Sequence, residues 1–75
     1  SWAMILDPTM AQAYYNRGLC QIDLGEFSQA LQDLSNALHL DPRDPDLYRA
    51  RAEAHTALGN ISHARADYEK VKELE

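Results

Sequence analysis

The 75-residue chain has one cysteine, Cys20, and so cannot close an internal disulfide. That favours a reducing setting, and the protein is expected inside the cell, in the cytoplasm. Basic side chains are scarce at one end. Residues 1–42 hold one, Arg17, against five acidic ones, whereas residues 43–75 hold six against seven. With a net charge of −5, this balance opposes phosphate backbones and anionic lipid surfaces, so neither nucleic acid nor a membrane is an expected partner. No apolar run approaches the roughly 20 residues that cross a bilayer. The stretch from Trp2 to Leu6 is too short, and lacks the basic flank, to be a signal peptide. The length itself excludes a multidomain enzyme. A chain of this size buries only about 60% of the surface its unfolded form exposes, which leaves little room for a deep, closed active site. Function is expected on an exposed surface.

Motifs that carry chemistry are missing as well. His39, His55 and His63 fall on different helices or turns, with no HExxH, paired cysteine or facing carboxylate to complete a metal site, and they read as solvated or half-buried. There is no GxSxG, no glycine-rich phosphate loop and no Ser/His/Asp set. Cys20 has no evident base beside it and reads as a small packed residue. No enzymatic activity, metal or cofactor is expected. Strand-like alternation is also absent, which leaves an all-α chain.

What is present is ordinary globular composition, 45% hydrophobic and 25% charged, arranged with a period. Offsetting the sequence by 34 residues lays Asp7-Pro8 on Asp41-Pro42, Tyr14 on Tyr48, Arg17 on Arg51 and Leu24-Gly25 on Leu58-Gly59. The match continues through Ser28/Ser62, Ala30/Ala64, Asp33/Asp67 and Leu40/Leu74, ten identities in 35 pairs. Character is kept at Gly18/Ala52, Cys20/Ala54, Phe27/Ile61 and Leu34/Tyr68. A fixed period of this size means stacked supersecondary units. Ala3 to Pro8 overlies Ala37 to Pro42, so the chain is expected to begin inside a helix. It ends just before a third Asp-Pro would fall, as an excerpt of a longer array does.

Each period reads as two helices. Thr9 with Gln12 forms a capping-box signature, and Asp44-Pro45 offers a capping acid followed by proline, so first helices are expected from near residues 10 and 45. Gly25 and Gly59 supply the left-handed residue that ends them, and Asn60, with Glu26 as the poorer equivalent, can cap the next helix. Second helices are expected near 27–40 and 61–74, the first of them stopped by the residue before Pro42. Small residues, Gly18, Ala30, Ala52 and Ala64, stand where helices approach closely, and Tyr14, Phe27 and Leu34 fill the gaps. The charged runs 41–46 and 69–75 read as solvated, with Asp67, Lys70 and Glu73 facing outward as a polar cap.

A helix–turn–helix repeated every 34 residues resembles the tetratricopeptide repeat, W-x2-L-G-x2-Y…A-x3-F…P. The matching residues are Tyr14, Gly18, Ala30, Leu34 and Pro42 in the first full unit and Tyr48, Ala52, Ala64 and Tyr68 in the second. Departures are Arg17 and Arg51 for the leucine, and Gln21 and His55 for the tyrosine, and these loosen the core pattern. The resemblance implies a right-handed α-solenoid of stacked antiparallel helix pairs. Residues 1–8 would end the second helix of a preceding repeat, 9–42 form a first full repeat and 43–75 a second, all in one solenoid domain.

In that family the first helix of each pair lines a concave groove that holds an extended peptide or a partner helix. Counting at spacings of three and four puts Gln12, Tyr15, Asn16, Leu19 and Asp23 on the groove stripe of the first unit. Asp46, Arg49, Ala50, Glu53 and Ala57 are their equivalents in the second. Tyr15 and Leu19 offer apolar contact, Asn16 a backbone partner, and Arg49 with Glu53 can pair with charges or with each other. The run Tyr14-Tyr-Asn-Arg-Gly18 with Leu24-Gly-Glu-Phe27 is similar to co-chaperone repeats that clamp acidic chaperone tails, and Asn16 matches their carboxylate-contacting asparagine. The lysine and arginine of that clamp are replaced here by Asp46 and Ala50. The resemblance implies a non-catalytic protein-interaction module, and the acidic first half favours a basic or apolar partner. The alternative is a scaffold segment or self-association unit without a peptide of its own, in which Trp2, Met4, Ile5 and Leu6 stack on another copy.

Overall fold

The computed structural model describes residues 8–75, which form four helices: α1, Pro8–Asp23; α2, Phe27–Leu40; α3, Pro45–Ala57; and α4, Ile61–Leu74. The expected helix end before Pro8, and with it Trp2, Met4, Ile5 and Leu6, lies outside the described residues. Both second helices have the bounds expected of them. α3 begins where Asp44 and Pro45 require: the Asp44 carboxylate accepts the Asp46 N–H at 2.9 Å, and the proline fills the first helical position, where an N–H has no partner anyway. α1 is described from Pro8, two residues ahead of the expected start, so Thr9 lies within the helix.

The turns within each helix pair share one construction. Gly25 has φ +80° and Gly59 φ +82°, the region open to glycine. The Gly25 N–H donates to the Ile22 carbonyl at 3.0 Å and the Glu26 N–H to Gln21 at 2.7 Å; Gly59 to Thr56 and Asn60 to His55 repeat this at 3.0 and 2.8 Å. Two backbone donors thus satisfy the carbonyls that a helix end leaves free. Neither Glu26 nor Asn60 caps the next helix with its side chain. The Asn60 amide lies instead 3.4 Å from the His55 ring, so the expected cap is corrected to a bridge back to the preceding helix.

Each helix packs on the next, and α1 also reaches α3. The core consists of Ala30, Leu34, Ala37 and Leu38 from α2 meeting Leu47, Ala50 and Ala54 from α3, with Tyr14, Tyr15, Leu19, Ile22, Phe27 and Tyr48 against it. The expected small contact residues Gly18, Ala30, Ala52 and Ala64 are all buried. At Gly18 the need is steric, because a Cβ there would sit 2.9 Å from two atoms of the fully buried Leu34 side chain. In the second unit the counterpart of Leu34 is Tyr68, 43% exposed, and an alanine, Ala52, is accommodated. Cys20 departs from expectation. Its counterpart Ala54 is buried against α2, but Cys20 is exposed, with no helix among the described residues covering it in that way. Among the described residues no helix is long and apolar enough to cross a membrane.

Candidate functional site

Two features organise the surface. The first joins the helices of each pair. Arg17 on α1 donates from Nε and Nη2 to both carboxylate oxygens of Asp33 on α2, at 2.7 and 2.8 Å. Arg51 on α3 grips Asp67 on α4 identically, at 2.9 and 2.8 Å. Each guanidinium also lies over a tyrosine, Arg17 5.7 Å from the Tyr14 ring centre and Arg51 5.6 Å from that of Tyr48. The two arginines therefore fasten the helix pairs and do not loosen them. Asp67 is buried in this contact, not outward-facing as its charge suggested. The Asp33 carboxyl is held below the ordinary carboxylate range, chiefly by the Arg17 hydrogen bond. All six residues of these two Tyr–Arg–Asp sets are among the repeat identities, and that co-recurrence was the signal that pairing could have been read from.

The second feature is a cleft of about 180 Å³ between α1 and α3, lined by Tyr15, Leu19, Asp46, Arg49, Ala50 and Glu53. Six of the ten groove positions thus surround one hollow. Gln12, Asn16, Asp23 and Ala57 do not line it; Gln12 donates to Asn16 at 3.2 Å, and all four are exposed. Ala50, expected on the mixed surface, belongs to the core and closes the floor of the hollow. Arg49 is bonded at 2.9 Å to Asp46 and at 2.7 Å to Glu75, at the far end of α4, a partner too distant in sequence for spacing to suggest. Glu53 stands at the rim without a described partner for its carboxylate. The Tyr15 hydroxyl is pushed up from its ordinary value, first by burial and then by Asp46 and Asp44, with Arg49 opposing and Glu53 adding. The cleft is therefore electronegative around an aromatic wall.

The histidines include an arrangement the sequence did not disclose. His55 and His63 stack across the α3–α4 turn, ring centres 5.0 Å apart and planes 21° apart. The His55 Nε2 is 3.9 Å from an Asp67 oxygen. Burial lowers the His55 pKa; Asp67 opposes this, while His63 and Arg51 add to it. Among the described residues no set of three such side chains could hold a metal ion.

Comparison with known proteins follows the same period. A family model described as "Tetratricopeptide repeat" matches residues 11–44, and a second with the same description matches 45–75. The chain is 36% identical over 62 residues to the peptidyl-prolyl cis-trans isomerase FKBP4 of Bos taurus, covering 83% of this chain and 14% of that protein. It is 34% identical over 62 residues to the heat shock protein STI1 of Saccharomyces cerevisiae, covering 83% of this chain and 10% of the relative. With the DnaJ homolog subfamily C member 7 homolog of Dictyostelium discoideum it shares 31% over 77 aligned positions, 97% of this chain and 14% of the relative. The chain thus spans a small part of the length of each of these relatives.

Proposed function

Because the chain belongs to the tetratricopeptide repeat family, we propose that it is a non-catalytic protein-interaction module, with repeats at 9–42 and 43–75, that holds a peptide or partner helix against α1 and α3. The observation that carries this reading is the convergence of Tyr15 and Leu19 with Asp46, Arg49 and Glu53 around one cleft. An aromatic and an aliphatic side chain give contact area, and charged groups at the rim give register and selectivity. The preferred partner is basic or apolar. Asp44, Asp46, Glu53 and Glu75 outnumber Arg49 there, and the clamp cations of the co-chaperone repeats are absent, with Asp46 and Ala50 in their places. An acidic tail would be repelled.

Fluorescence anisotropy of labelled decapeptides tests the reading. A lysine-rich peptide is expected to bind more tightly than a glutamate-rich one of equal length, and to weaken as salt rises. Equal or stronger binding of the glutamate-rich peptide, insensitive to salt, would contradict the charge preference.

A further inference from the structure

Building on the groove reading above, we propose that the cleft between α1 and α3 is a pocket for one lysine side chain of the bound peptide, its methylenes against Tyr15, Leu19 and Ala50 and its ammonium at Glu53. The size fits. At about 180 Å³ the hollow is smaller than the roughly 300–1,000 Å³ of small-molecule sites, and it suits one long side chain. The depth order fits as well: Ala50 is buried, Tyr15 and Leu19 are half-buried, and Asp46 and Glu53 are exposed. Tyr15, Leu19 and Ala50 beneath a rim of net negative charge match a side chain that carries its charge only at the tip.

The rim charges are not equivalent. Arg49 lies at the hollow but is engaged by Asp46 and by Glu75, so its charge is met from two sides and Asp46 is already in use. Glu53, one helical turn further along α3, is the carboxylate left for a guest. The Tyr15 ring adds an electron-rich face that attracts an ammonium, and burial together with Asp46 and Asp44 holds its hydroxyl protonated beyond the ordinary range, consistent with a local excess of negative charge. A contrasting hollow along α4 is bordered by Arg65 and Lys72 against a single carboxylate, Glu69, beside Ile61 and Tyr68, and its net positive lining disfavours the same guest.

The test uses amide NMR of the full chain titrated with capped Gly-Gly-Xaa-Gly-Gly peptides in which Xaa is lysine, norleucine or glutamate. The lysine peptide is expected to shift the amides of Tyr15, Leu19, Arg49 and Glu53, with a dissociation constant about three- to fivefold below that of norleucine, the gain of one exposed charge contact. Glu53→Gln, an exposed substitution, should remove most of that advantage and leave norleucine binding unchanged; Tyr15→Phe, which keeps the ring, should retain it. Norleucine binding there as tightly as lysine, or a lysine advantage undiminished by Glu53→Gln, overturns the lysine pocket while leaving the groove intact. Shifts confined to α2 and α4 overturn the groove reading and the pocket with it.

Discussion

Arg17 and Arg51 grip their aspartates alike in different surroundings, and Arg51 also donates to the Ser35 hydroxyl at 3.4 Å. The Arg17 side chain is 62% exposed and that of Arg51 25%, while their carboxylate partners are both nearly covered. Removing the partner therefore leaves Arg17 to water but leaves Arg51 partly desolvated, with the Ser35 hydroxyl and no counter-charge. Asp67→Asn should cost about 2 kcal/mol in denaturant unfolding, and Asp33→Asn less. His55 adds a pH dependence. Its folded pKa lies below the ordinary 6.5, so the unfolded chain takes up the proton first. Stability is then full above pH 6.5 and falls as pH drops below it. His55→Gln places there the residue that Gln21 provides in the first unit and should flatten the midpoint of thermal unfolding across that window. These contacts were only half legible. The period displayed Arg17/Arg51 and Asp33/Asp67 as recurring, but a 16-residue spacing that crosses a turn does not announce a contact. Departure from the family's leucine consequently read as loss of packing.

At the scale of the element, the turns were readable and two of the caps were not. Gly25 and Gly59 mark helix ends because the left-handed backbone there penalises any side chain, whatever the tertiary context. Nothing lies within 4 Å of a Cβ built on either, so Gly25→Ala should cost only the backbone penalty, about 1 kcal/mol. Gly18→Ala differs in kind. Helix propensity favours alanine by about 0.5–1 kcal/mol, but the added methyl meets Leu34 where that side chain has no exposed surface to move into. The steric effect should win, giving a net loss in urea unfolding with little change in slope. Glu26 and Asn60 stand at the capping positions but make no cap bond with their side chains, because capping preference ranks residues without saying which competing bond each will take. Asn60 took the His55 ring. The expected burial of Cys20 failed similarly: the repeat carries a residue's position, while its cover depends on which neighbouring helix is there.

On the scale of the whole molecule, the period gave the helix order and the stripe count gave much of the cleft. Tyr15, Leu19, Asp46, Arg49 and Glu53 come together because α1 reaches α3 directly in addition to packing through α2. What counting missed is how charge is spent inside it, since the bond from Arg49 to Glu75 spans the second helix pair. The exposed apolar residues on α4, Ile61 and Tyr68, occupy the positions of Phe27 and Leu34, which α2 packs into the core. The central claim is that α1 and α3 carry the peptide. It is tested most directly by adding a nitroxide-labelled lysine-rich decapeptide and measuring amide relaxation along the chain. Broadening concentrated between residues 12 and 23 and between 46 and 57 is the expected result. Broadening centred on the outer faces of α2 and α4, with the cleft amides untouched, would contradict it.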